Sequence, residues 1–473
     1  MSFRGVSALL CVTAFAAIAP GQTDRIRVAC IGDEFAAGRT PRDGYPAMLQ
    51  KVLGKKYDIR TFTKAGTTLS AQGDRPYAQQ AEYKRALEYL PQIVIVGTGM
   101  NDSKARNRAG IPGLGAGCAT LVRSFQSLRS RPRVLLLLPS PLSAGDPAGV
   151  SHAVIRDQVV PALRSTAFTS GCEIVNLYNH MIDRPAYFSD STRVSPEGSH
   201  AVALLLRDIV KTAADADFNL PARADVSGDT TGHHGYACLR FNFEGREARI
   251  VRPKRTARGR PWLWRARFWG HEPQTEIALL ERGFHIVYCD VAELFGNDQA
   301  VGIWNRFYAL MVQAGMSEQA ALEGFSRGGL YVYRWAVANP RRVLCIYADA
   351  PVLDFKSWPG GKGKGHGNPE EWTRFKQDFG LASEEEAMAF RGNPIDMAPQ
   401  IAAGGYPMLH VCGDADETVP VEENTNIFER RVLDSGGSIT VIHKPGVGHH
   451  PHSLANPQPI VEFILRAAHL LHQ

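Results

Sequence analysis

Residues Ala321–Pro340 read ALEGFSRGGLYVYRWAVANP. An apolar run ends at Phe325, Ser326 follows between Gly324 and Gly328, and a helix-like pattern of large apolar side chains comes after. A strand that turns this sharply into a helix needs small residues around the turn, and the turn lifts the serine hydroxyl clear of the backbone. The backbone N–H of Arg327 then lies at the helix start, where it suits an oxyanion.

A nucleophilic serine needs a base and an acid to orient it, and both are expected downstream. In LHVCGDADETVPVEENT, Leu409–Thr425, the Asp-x-x-Val-Pro pattern after an apolar strand selects Asp416, with Asp414 as the alternative. In VIHKPGVGHHPHSL, Val441–Leu454, His449 follows Gly448 on the loop beyond the next strand, and His450 is the runner-up. The chain order Ser326, Asp416, His449 is that of an α/β-hydrolase triad, in which neutral histidine takes the serine proton and an acyl-enzyme follows. The clustered histidines of HHPH have a proline among them and no carboxylate at ligand spacing, so neither a metal nor another cofactor is assigned.

The second oxyanion donor is expected on RARFWGHE, Arg265–Glu272, from the backbone N–H of Arg267 or Phe268. The surrounding stretch RPKRTARGRPWLWRARFWG, Arg252–Gly270, concentrates arginines and tryptophans. It has two readings, a solvated loop with a half-buried strand, or a substrate wall that stacks on flat rings and pairs with carboxylates. Arg267, Trp269 and Trp358 are the candidate substrate contacts. Trp358 lies in a Gly-rich aromatic insertion, Asp354–Gly380, expected to form a mobile lid.

At 473 residues the chain is too long for one core. Apolar runs alternate with amphipathic segments twice over, which predicts two α/β domains with parallel sheets, at 24–215 and 237–473. The polar stretch between them, 216–236, reads as a linker. A net charge of +6 from 53 basic and 47 acidic residues is too small for this length to imply nucleic-acid binding. The first 22 residues, one arginine and then an apolar run from Gly5 to Ala19, have the layout of a signal peptide. Export to the periplasm or the medium is therefore expected, with no membrane attachment once the signal is removed. Most of the remaining cysteines sit in apolar strand-like runs and read as buried thiols, and a Cys118–Cys172 disulfide is left open.

The first half carries four ordered blocks: IGDEF with Glu34, KAGTT with Gly66, GTGMNDSK with Asn101, and FSDSTRVSPEG with Asp190 and Arg193. In these blocks it resembles the SGNH (GDSL-type) hydrolase superfamily. The resemblance implies a three-layer α/β/α domain, with Gly66 and Asn101 as the oxyanion donors. Glu34 stands where that family has its serine, and Arg193 where it has its histidine. Arginine stays protonated near neutral pH and cannot serve as the base. The first domain is therefore expected to be catalytically silent, with Glu34 and Arg193 paired across the old cleft. The second half resembles α/β-hydrolase-fold serine hydrolases of the dienelactone hydrolase and prolyl oligopeptidase type. Together the resemblances imply an exported serine esterase acting on a small-molecule or polysaccharide ester, with deacylation of carbohydrate as the expected activity. The rivals are a peptidase of the prolyl oligopeptidase type and a non-catalytic carbohydrate-binding protein.

Overall fold

The computed structural model describes residues 25–37, 43–142, 149–190, 193–215 and 217–471. The expected signal peptide lies outside them. Five strands form the first sheet: β1 (Ile26–Gly32), β2 (Tyr57–Thr63), β3 (Ile93–Gly97), β4 (Arg133–Leu138) and β5 (Glu173–Asn176). They are parallel throughout, in the order β2-β1-β3-β4-β5. Parallel strands are covered on both faces, which is why IVIVG of β3 reads as one apolar run and is wholly buried.

The second sheet has nine strands: β6 (Asp229–His233), β7 (Tyr236–Phe243), β8 (Arg246–Arg252), β9 (Trp262–Arg265), β10 (His285–Cys289), β11 (Ala320–Phe325), β12 (Val343–Asp349), β13 (Met408–Gly413) and β14 (Ile439–Lys444). The order is β14-β13-β12-β11-β9-β10-β8-β7-β6. β9 to β14 run parallel, and β6, β7 and β8 form an antiparallel meander joined to β10. The chain is thus an α/β protein with two sheets, as the alternating pattern predicted.

The stretch 216–236 is not a free linker. It contains a short helix, Leu220–Arg223, with Leu220 fully buried, and it supplies β6. The Gly, Asp and Thr of Asp229–His233 belong to an exposed edge strand, which is polar in composition without being unstructured.

The two sheets share an apolar layer. One continuous cluster joins Ala29, Val94 and Leu136 of the first sheet's side to Val251, Leu263, Ile286, Cys345 and Leu409 of the second. Hydrogen bonds cross the same boundary, from Lys254 Nζ to the Ala167 carbonyl at 2.7 Å and from the Asn176 backbone N–H to Glu281 Oε1 at 2.6 Å. The opposite face of the second sheet packs a separate core around Trp262, Trp264, Trp304 and Trp335. Trp262 and Trp264 are therefore core residues and not a substrate wall. The insertion expected as a lid is also packed down: it carries a helix, Pro369–Asp378, and Phe375 stacks on Phe355 with ring centroids 4.0 Å apart. All seven cysteines among the described residues are buried free thiols, Cys118 and Cys172 included.

Candidate active site

β11 delivers Ser326 into a left-handed backbone conformation, φ 50°, before the helix Gly328–Ala338 begins. Such a φ is uncommon for a residue with a side chain and marks stored strain. Two backbone bonds hold it: Ser326 N–H donates to the Asp349 carbonyl at 2.8 Å, and Val352 N–H donates to the Ser326 carbonyl at 2.9 Å. A Cβ on Gly324 would lie 2.7 Å from the Gly328 carbonyl oxygen, so the turn closes only over glycine there.

The loops after β13 and β14 bring the other two groups. His449 Nδ1 lies 2.7 Å from Asp416 Oδ2, and His449 Nε2 lies 3.0 Å from Ser326 Oγ. An ionised carboxylate only accepts, so Nδ1 carries the proton and Nε2 is left to accept from the serine hydroxyl. Asp416 is fixed in turn by the N–H groups of Thr418 and Val419, at 2.9 and 2.8 Å to Oδ1. Its side chain is 2 % exposed and that of His449 12 %, so the pair is screened from water while Ser326 stays reachable. A Cβ on Gly413 would lie 2.3 Å from the Val447 and Gly448 carbonyl oxygens, which is the close crossing that sets His449 over the end of β13. The alternatives are engaged elsewhere: Asp414 pairs with His443 at 2.6 Å, and the His450 ring packs edge-on against His449.

Among the described residues, the backbone N–H groups of Arg327, Arg267 and Phe268 have no acceptor. What turns the loop this way is Arg265, one of the arginines of the Arg252–Gly270 stretch. Arg265 is 1 % exposed. Its Nε donates to the Arg267 carbonyl at 2.9 Å, and its Nη2 donates to the carbonyls of Phe268 and His271 at 2.8 and 2.7 Å. With the carbonyls drawn inward to one guanidinium, the loop folds back with Phe268 at φ 53°. Glu276 lies 3.0 Å and Glu323 3.5 Å from Arg265 Nη1. Burial first, and the neighbouring Glu276 second, hold Glu323 well above the usual carboxylate range.

Of the candidate substrate contacts, Trp358 and Arg267 sit beside the nucleophile turn. The Arg327 guanidinium lies 5.2 Å over the Trp358 ring and pairs with Glu371 at 2.9 Å. Arg267 is half-buried, and its Nε has no hydrogen-bond partner. Desolvation, then the proximity of Arg267, lower the pKa of Arg327. Trp269 is engaged by protein, packed between His233, Tyr288 and the Arg249 guanidinium.

In the first domain three of the four blocks meet at Glu34. Glu34 Oε2 accepts from the Gly66 N–H at 2.8 Å and from Asn101 Nδ2 at 3.1 Å. The carboxylate therefore sits on the two donors that the resemblance assigns to an oxyanion. The expected pair with Arg193 does not form: Arg193 Nε lies 3.2 Å from Asp190 Oδ2, its neighbour on the same turn. A donor pair already aimed at an anion is the better partner for Glu34, whereas Asp190 is three positions from Arg193 and needs no chain movement to reach it.

Residues 30–201 match the GDSL-like Lipase/Acylhydrolase family. A curated relative, an acetylxylan esterase of Xylanibacter ruminicola, is 28 % identical over 209 residues, which is 40 % of this chain and 44 % of that protein. The chain thus spans less than half the length of that relative. Among solved structures, a puromycin hydrolase is similar at a TM-score of 0.38 with 18 % identity, covering 50 % of this chain and 39 % of its own. An aryl esterase of M. smegmatis is similar at a TM-score of 0.34 with 16 % identity, covering 39 % of this chain and 98 % of its own.

Proposed function

We propose that this chain is an exported serine esterase that hydrolyses carboxylic esters on carbohydrate, with the chemistry in the second domain. The observation that carries the reading is the hydrogen-bonded line Ser326–His449–Asp416, built on a strained serine beside backbone N–H groups left without acceptors. Ser326 Oγ attacks the ester carbonyl as its proton passes to His449 Nε2. The carbonyl oxygen gathers negative charge, which the N–H of Arg327 and that of Phe268 or Arg267 stabilise. Collapse expels the alcohol, which takes the proton from His449, and leaves an acyl-serine. Water, deprotonated by the same imidazole, then releases the acid. Asp416 holds the tautomer and offsets the imidazolium charge throughout.

The name of the Xylanibacter relative supports an acetylated polysaccharide as substrate, and the signal-like N-terminus supports export. The first domain is read as catalytically silent, because Glu34 occupies its anion donors and Arg193 supplies no base.

The test is acetate release from acetylated xylan and from a small acetyl ester, comparing the mature chain with its Ser326→Ala variant. Turnover is expected to fall by about 10⁴-fold or more on loss of the nucleophile. Activity that survives the substitution would return the chemistry to the Glu34 cleft. Cleavage of peptide amides with no ester turnover would make the chain a peptidase.

A further inference from the structure

Beside the triad lies a second histidine cluster that the esterase mechanism does not use. His271 comes from the loop after β9, and His450 and His452 come from the loop after β14. One ring nitrogen of each lies within 4.8 Å of the other two. The rings meet edge-on: His271 stands 5.6 Å from both others at 88° and 89°, and His450 stands 4.7 Å from His452 at 75°. HHPH has no carboxylate at ligand spacing, so the local sequence by itself assigns no metal there. The third ligand is instead an imidazole some 180 residues earlier in the chain, roughly the span from His271 to His450, brought in by the fold.

We propose that His271, His450 and His452 form a zinc-class divalent metal site with water in the remaining position, one that clamps the oxyanion loop to the catalytic-histidine loop. Three features support it. His452 is 3 % exposed, and its Nδ1 donates to Asp349 Oδ1 at 2.8 Å, which leaves Nε2 as the lone-pair nitrogen. The carboxylate behind it is itself fixed, since Asp349 Oδ2 accepts from Ser453 N–H at 2.8 Å and from the Tyr347 hydroxyl at 3.0 Å. A carboxylate backing a histidine in this way is the arrangement that orients imidazole ligands on zinc. His271 and His450 are exposed, so they can rotate to the shorter spacing that metal–nitrogen bonds of about 2.0–2.1 Å require.

A competing cluster exists at Cys412, Asp414 and His443, on the sheet edge. There one imidazole nitrogen, His443 Nδ1, is already within 2.6 Å of Asp414 and 3.7 Å of the Cys412 sulfur. Its thiol is moreover pushed up to about 12 by burial. The histidine trio is the better site because no thiol has to be deprotonated.

The test uses the full chain with Ser326→Ala, so that binding is read without turnover. Zn²⁺ is titrated against a chromophoric chelator, Co²⁺ is followed by its visible spectrum, and thermal unfolding is recorded with and without Zn²⁺. One tight equivalent is expected, with Co²⁺ ligand-field bands and no thiolate charge-transfer band, and a higher Tm when zinc is present. His271→Ala and His450→Ala should each weaken binding by about tenfold or more and abolish the Tm rise, while their metal-free Tm stays that of the parent. Three outcomes overturn the proposal: no stoichiometric binding, a thiolate band, or loss of binding in His443→Ala but not in His271→Ala.

Discussion

Ser326 holds its strained conformation because neighbouring residues leave it room, and the glycines that matter are not the pair its motif names. Gly324 is constrained as the motif implies, but a Cβ on Gly328 would meet nothing nearer than Ala266 at 3.7 Å. On Gly329 it would lie 2.6 Å from the Pro351 side chain and 3.1 Å from the Val352 carbonyl oxygen. Gly329→Ala is therefore expected to cost about 1–3 kcal/mol in urea unfolding, with Gly328→Ala close to the parent. The meeting of Ser326, Asp416 and His449 was legible because Ser326 directly follows one apolar strand and the other two lie on the loops after two later ones, at the same end of a parallel sheet. Asp349 ends such a run too, in VLCIYADA. Its pairing with His452 was not legible, because nothing local in a sequence records a contact made across a sheet.

At the level of the element, the loop after β9 depends on a guanidinium buried beneath it. Removing Arg265 frees three backbone carbonyls and leaves Glu276 and Glu323 without their cation. For Arg265→Leu we expect a loss of about 3–5 kcal/mol in stability. In protein that remains folded at low temperature, kcat on an acetyl ester should drop by about 10²-fold with KM little changed, as loss of an oxyanion donor implies. A rise in KM with kcat little changed would instead indicate a damaged binding surface. WLWRARFWG admits two readings for a physical reason: a strand buried on both faces has no alternation to distinguish it from an exposed aromatic wall. Its arginines look solvated until the two glutamates that receive Arg265 are placed on neighbouring elements. The 354–380 segment misled the sequence reading, since its glycines suggested mobility while its aromatics were bound for the core.

Across the whole molecule, burial has neutralised several histidines. Desolvation lowers His285 and His410 from 6.5 to about 3 and His180 from 6.5 to about 4. Each is neutral when folded and takes up a proton when unfolded once the pH drops below 6.5, so its stabilising contribution is complete above that pH and is lost as pH falls toward the folded value. Each group removes about 1.4 kcal/mol per pH unit well below 6.5. Urea midpoints should therefore fall steeply between pH 6.5 and 4, and His285→Gln should flatten that slope. The two α/β layers were legible from alternating apolar runs, and so was the order of the blocks in each. Their joining was not, because an apolar side chain reads the same whether it faces its own helix or another domain. That shared layer also bears on inheritance. A domain hung on a tether can be deleted or exchanged, but here one wall of the second domain's interior is furnished by its neighbour. The first domain is masonry for the second, whatever its own cleft does.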